Sequence, residues 1–73
     1  MNKIDNVGNI YSGNFVYMNN NFVLHGHGEV TNISGIIYNG YFIYGKKHGL
    51  FTVKNLNTKE MCSVRYEYDK IVT

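Results

Sequence analysis

The sequence predicts an all-β protein, a single-layer antiparallel meander of β-hairpins. Three observations carry this expectation. The residues Val, Ile, Thr, Tyr and Phe number 29 of 73, against 16 for Leu, Met, Glu, Lys and Arg, and the chain has neither Ala nor Gln. Residues 8–15 and 35–42 superpose as G-x-I-Y-x-G-x-F, an internal repeat. Within each copy the aromatics alternate. Tyr11, Gly13, Phe15 and Tyr17 share one side of a strand, as do Tyr38, Gly40, Phe42 and Tyr44, which is strand period and not helix period.

The elements follow in order. A first strand is expected near residues 9–18, and Asn19, Asn20 and Asn21 mark its reversal, because Asn tolerates positive φ. The return strand near 22–31 contains Gly26 and Gly28, and the glycines are expected to let a neighbouring aromatic ring lie across bare backbone. A second outgoing strand near 36–44 repeats the first. Gly45, Lys46 and Lys47 turn the chain, and a return strand near 48–55 carries His48 and Gly49. Tyr11 to Tyr38 spans 27 residues but His25 to His48 only 23, with the surplus between Phe15 and His25. A lengthened first turn is therefore expected. A closing strand near 60–69 completes one small domain over 1–73, with unit one at about 8–34, unit two at about 35–57 and a degenerate remainder at about 58–73.

These residues resemble the MORN repeat, whose units of about 23 residues follow Y-x-G-x-F/W-x-x-G-x-x-H-G-x-G. The second unit matches through Tyr38, Gly40, Phe42, Gly45, His48 and Gly49, and departs at Phe51, where the closing glycine belongs. The first keeps Tyr11, Gly13, Phe15, His25, Gly26 and Gly28, with Met18 in place of the mid-repeat glycine. Beyond residue 55 the pattern fades: Met61 or Cys62 stands where the next Tyr is expected and Arg65 where the Phe is. The resemblance implies a hairpin sheet of MORN-repeat type used as a scaffold or binding surface, sometimes at membranes.

Little in the chain suggests chemistry. His25, His27 and Glu29 could be read as metal ligands, but histidines repeated at one place in successive hairpins are expected to make turn hydrogen bonds, so no metal site is expected. The lone Cys62 excludes an internal disulfide and is expected to be buried and inert. Gly26-x-Gly28 lacks the third glycine of a dinucleotide fingerprint, Thr31 standing there. The carboxylates Asp5, Glu29, Glu60, Glu67 and Asp69 are scattered. No catalytic residue, no enzyme activity and no cofactor is expected. Aromatics beside lysines could stack nucleic-acid bases, but the repeat needs those rings for its own packing, so nucleic acid is not an expected partner.

What remains is binding. So short a chain cannot cover both faces and both edges of a sheet, and a partner protein or a second copy, forming a homodimer, is expected to cover them. The aromatic candidates are Tyr17, Phe22 and Tyr41, together with Tyr66 and Tyr68 of the closing strand. The net charge of +2 is uneven: residues 1–45 carry −1 and residues 46–73 carry +3. Lys46, Lys47, Lys54 and Arg65 are the candidates for an anionic partner. Two lysines at one end of a sheet contribute about 2 kcal/mol at an anionic leaflet, too little for stable membrane binding, so lipid ranks below protein as partner. The function expected is a cytoplasmic, non-enzymatic protein-binding scaffold. The alternatives are a small virus- or mobile-element-type inhibitor that occludes a larger enzyme, and a module for anionic phospholipid.

Overall fold

The computed structural model describes residues 2–72, and these form one open antiparallel sheet without a helix. The strands are β1 (Asn2–Ile4), β2 (Ile10–Met18), β3 (Asn21–Thr31), β4 (Ile36–Ile43), β5 (Lys46–Lys47), β6 (Gly49–Asn55), β7 (Met61–Glu67) and β8 (Lys70–Ile71). Their spatial order is their chain order, with β5 and β6 sharing the edge of β4. All five expected strands are present. The additions are β1 and β8, short strands that pair along the two outer edges, β1 with Ile10–Ser12 and β8 with Tyr66–Glu67, and β5, whose Lys46 and Lys47 pair with Ile43 and Phe42 and so lie in a strand, not in the expected turn.

One end of the sheet, here the lower, is built from loops headed by an Asp or Asn whose side chain accepts backbone N–H groups. Asp5 Oδ1 takes those of Val7, Gly8 and Asn9; Asn32 Oδ1 takes those of Ser34 and Ile36; Asn55 Oδ1 takes those of Asn57 and Thr58. Each loop amide is thereby satisfied by a local oxygen, the usual reason for Asx residues in turns. The upper end has two-residue reversals at Asn19-Asn20, Tyr44-Gly45 and Tyr68-Asp69, with both residues of each pair at positive φ. That geometry matches strand twist.

The first reversal is therefore no longer than the others. The four extra residues of unit one instead lengthen its hairpin by two rungs, Tyr17–Phe22 and Met18–Asn21, and its tip bends back toward β1, where Asn21 and Phe22 O meet Lys3. Below it, β3 bulges: Gly13 and Phe15 face Gly28 and Leu24, so that two residues on β2 span four on β3. A matching irregularity separates β5 from β6 around His48 and Gly49. Gly26 and Gly49 sit at these bulges with φ of 96° and 94°, and no ring covers either; the nearest atoms to a Cβ on Gly26 belong to Asn14, and Gly49 meets nothing within 4 Å. Their role is backbone conformation, which corrects the expected packing role.

The closing segment is a third unit at a fixed offset. Tyr44 N–H donates to His25 Nδ1 and Tyr68 N–H to His48 Nδ1; Gly45 N–H donates to Leu24 O and Asp69 N–H to Lys47 O. His48 N–H reaches Tyr41 O as Val72 N–H reaches Arg65 O, 24 residues on. Cys62 thus takes the place of Tyr38, and Tyr66, not Arg65, that of Phe42.

One face of the sheet carries the core. Lys3, Tyr11, Val30, Tyr38, Val53 and Cys62 form one transverse row, and Gly13, Gly28 and Gly40 stand in the next. Leu24, Phe42, Phe51 and Tyr66 are buried, Phe51 completely, with Tyr11, Phe15, Val30, Tyr38 and Val64 packed around them. Phe51 meets Phe42 at 5.2 Å and Tyr66 at 5.3 Å, both edge to face, geometry that adds about 0.5–1.5 kcal/mol per pair to area burial. The glycine row is what lets the rings descend. A Cβ on Gly40 would lie 2.8 Å from the Phe51 ring, and one on Gly28 would lie 2.8 Å from Leu24 and 3.2 Å from the Phe42 ring. Tyr66 is 9 % exposed, so it belongs to the core and not to a binding surface, which corrects its candidacy. Cys62, expected to be buried, is exposed.

Candidate functional site

The lengthened first hairpin creates the site. Its extra rung places Tyr17 against Phe22, ring centroids 4.9 Å apart and edge to face, with 63 % and 43 % of each residue exposed. The neighbouring hairpin turns two rungs earlier at Tyr44-Gly45 and has no counterpart of this pair. Below the rung lies a groove of about 240 Å³. Tyr11, Phe15 and Leu24 line it together with Phe22, Val23 and Gly45, and Lys3 and Asp5 supply its polar members.

The polar members are fixed. Lys3 Nζ donates to Asn21 Oδ1 at 2.8 Å and to Phe22 O at 3.0 Å, bracing the long hairpin against β1. Asp5 Oδ2 accepts from Asn9 Nδ2 and from the Tyr11 hydroxyl, both at 2.9 Å. The Asn9 side chain is the largest influence on the Asp5 carboxyl; desolvation opposes it and is outweighed, and with the Asn9 amide, Tyr11 and Val7 the result lies well below the usual carboxylate range. Burial, reinforced by Asp5, raises the Tyr11 phenol above 10.0. The groove therefore offers an apolar slot with a braced lysine and an ionised carboxylate in its lining, suited to seating a large apolar side chain.

The other candidates stand elsewhere. Tyr41 is exposed on the opposite face, beside His27. Tyr68 is exposed at the third turn, stacked at 4.6 Å on His48, just as Tyr44 stacks at 4.3 Å on His25. Tyr17 and Phe22 are thus the two expected aromatics that meet at one place. Sequence reasoning missed Val23, Gly45, Lys3 and Asp5. The signal that could have found them is the four-residue surplus, had it been read as two added rungs.

The four cations do not form one patch. Lys46 is exposed beside the second turn, whereas Lys47 lies 4.9 Å over the Tyr38 ring and 5.3 Å over the Tyr66 ring, with Asp69 4.0 Å away. Its ammonium is engaged within the fold, which corrects its place among anion-binding candidates. Lys54 and Arg65 belong to the opposite face, Lys54 paired with Ile37 and Met61, Arg65 with Leu50. The histidines have separate partners: His25 Nδ1 accepts from Tyr44 N–H, and His27 Nε2 lies 3.1 Å from Asn39 Oδ1. Among the described residues no three of His, Cys, Asp and Glu come together as a metal site.

Comparison of the chain with protein-family models, with curated proteins and with solved structures returned no match.

Proposed function

We propose that this protein is a non-enzymatic binding module that seats a large aromatic or aliphatic side chain of a partner protein in the groove beneath the Tyr17–Phe22 rung. One observation carries the reading: a hairpin two rungs longer than its neighbour leaves an aromatic pair exposed at the brink of an apolar groove. Rigid aromatic side chains beside a pocket are the residues that anchor protein interfaces. The resemblance to MORN repeats supports the same use of a hairpin sheet as a scaffold, and the third unit at an offset of 24 adds to that resemblance. Lys46, Lys54 and Arg65 are separated over different parts of the sheet, and this supports a protein partner ahead of a lipid surface.

The test is selection of peptides from a random display library against the full chain. Enrichment of sequences with a shared aromatic or long aliphatic anchor is expected, with affinity falling at least ~10-fold in the double variant Tyr17→Ala, Phe22→Ala, in line with loss of one anchor of ~1.4 kcal/mol or more. The sheet spectrum should be unchanged. Binders that ignore this double variant, or a library that yields none, would refute the groove as the site.

A further inference from the structure

The two outer edges of the sheet are complementary halves, and the geometry points to head-to-tail association of copies of this chain, β7 of one molecule pairing with β1 of the next so that the sheet continues across the joint. The occupant of each edge is thus a second copy.

The ladder phase supports it. Asn55 N–H donates to Glu60 O, so alternation makes Val53–Cys62 and Phe51–Val64 the bonded pairs between β6 and β7. The backbone groups of Met61 and Ser63 then face away from β6. Val72 N–H reaches Arg65 O and β8 pairs with Tyr66 and Glu67, leaving Met61–Ser63 unpaired on that side among the described residues. At the other edge Asp5 N–H donates to Asn9 O, so Lys3–Tyr11 is the bonded pair, and the backbone groups of Asn2 and Ile4 face outward. Both edges present two outward residues in the same spacing. β1 runs in the direction of β6, so its approach to β7 is antiparallel.

The side-chain rows agree. Lys3 belongs to the row Tyr11, Val30, Tyr38, Val53, Cys62, in which it stands where Val30 and Val53 stand. Placing Lys3 of a second copy beside Cys62 repeats the step already made from Tyr38 to Val53. The bonded pairs of the joint are then Met61 with Ile4 and Ser63 with Asn2. On the opposite face Ile4, 67 % exposed, meets Met61, 62 % exposed, extending the row Ile10, Thr31, Ile37, Lys54. Glu60 faces Asp5 of the second copy across the lower end, but that carboxylate is turned into its own loop and Lys3 lies diagonal to Glu60. Among the described residues β8 and the incoming β1 occupy different halves of β7. A joint between unlike edges leaves one edge free at each end, so growth continues past two copies, to an open row or to a ring if the rotation per step closes one.

Sedimentation equilibrium of the full chain over a wide concentration range tests this. The weight-average mass is expected to rise past that of a dimer. Ser63→Pro and Asn2→Pro each remove one outward N–H and leave every internal ladder bond in place. Each variant alone is expected to stay monomeric with an unchanged sheet spectrum, and an equimolar mixture to form a capped dimer, since one retains the β1 edge and the other the β7 edge. If a proline variant loses its sheet signal, Met61→Lys and Ile4→Lys, at exposed side chains outside the ladder, replace the pair with the same expected pattern. A wild-type chain that stays monomeric, a dimer plateau in the wild type, or self-association of either single variant overturns the proposal.

Discussion

Adding one methyl group at Gly40 should be costly, and the cost should disappear when Phe51 is removed. The Cβ of Gly40→Ala would lie 2.8 Å from Cγ and Cδ1 of the Phe51 ring and 2.9 Å from Cδ2. That ring has nowhere to retreat, being fully buried between Phe42 and Tyr66. Overpacking of this kind costs about 1–3 kcal/mol. Gly40 lies in β4 without positive φ, so alanine itself is conformationally acceptable there and restricts the unfolded chain, a gain of about 0.4–1 kcal/mol. Gly40→Ala in the native background should therefore destabilise by about 1–2 kcal/mol net. Phe51→Ala alone should cost about 3–5 kcal/mol, a large share of the ~4–11 kcal/mol a chain of this size possesses. In the Phe51→Ala background the added methyl enters vacated space, and Gly40→Ala should become neutral or stabilising. Urea unfolding of the four proteins, followed by tyrosine fluorescence and circular dichroism with sucrose in every arm to keep the weakest folded, gives the coupling directly. A coupling energy within about 0.5 kcal/mol of zero would refute the account of glycine and ring as two halves of one packing unit.

Other outcomes follow from the same contacts. His25→Ala should cost about 0.5–1.5 kcal/mol and deprotect the Tyr44 amide in hydrogen exchange, since Nδ1 is its acceptor; exchange at Tyr44 unchanged from wild type would count against the clasp. Asp5, whose carboxyl lies well below its ordinary value, stabilises the fold above the unfolded carboxylate range, and this contribution is lost as pH falls from there through the folded value. Carbon-detected NMR titration should find Asp5 still ionised below the ordinary aspartate value of 3.8, and Asp5→Asn should flatten the acid limb of the stability curve. Burial raises the Tyr66 phenol, with smaller effects from Tyr38, Cys62 and Asp69, and burial also raises that of Tyr11, so both should ionise above the ordinary phenol value of 10.0 in an ultraviolet titration. Their contribution is complete below the ordinary phenol value of 10.0 and falls as pH climbs beyond it. Lys47→Gln should lower stability by about 0.5–2 kcal/mol through loss of its place over Tyr38 and Tyr66, readable by thermal melting.

The doubled Tyr-x-Gly-x-Phe pattern made the four central strands legible, because alternation alone places Tyr11, Phe15, Tyr38 and Phe42 on one face. The third unit was harder to read, since Cys62 and Tyr66 replace the Tyr and Phe that mark the others and only the turn bonds of Tyr68 reveal the phase. β1 and β8 are too short for any periodicity and exist because an edge is there to pair with. The His-Gly pairs were visible, but a bulge and a packing glycine look alike in sequence. The first gives positive φ at Gly26 and Gly49, the second gives ring contact at Gly28 and Gly40. As for the site, Tyr17 and Phe22 were legible as exposed aromatics. The groove beneath them was not, because it forms between the lengthened hairpin and residues of other elements, with its polar members from a loop and an edge strand.

The strict chain-order pairing of the strands also decides how the molecule bears load. Tension applied between β1 and β8 would act across the sheet, perpendicular to its strands, so that rungs are strained a few at a time and not all together. Every strand pair carries the same tension, so the shortest ladders, β1 on β2 and β7 on β8, part first and the central ones after them. Such a sheet resists pulling weakly and re-forms readily from whatever remains, since every strand finds its partner in the adjacent segment of chain.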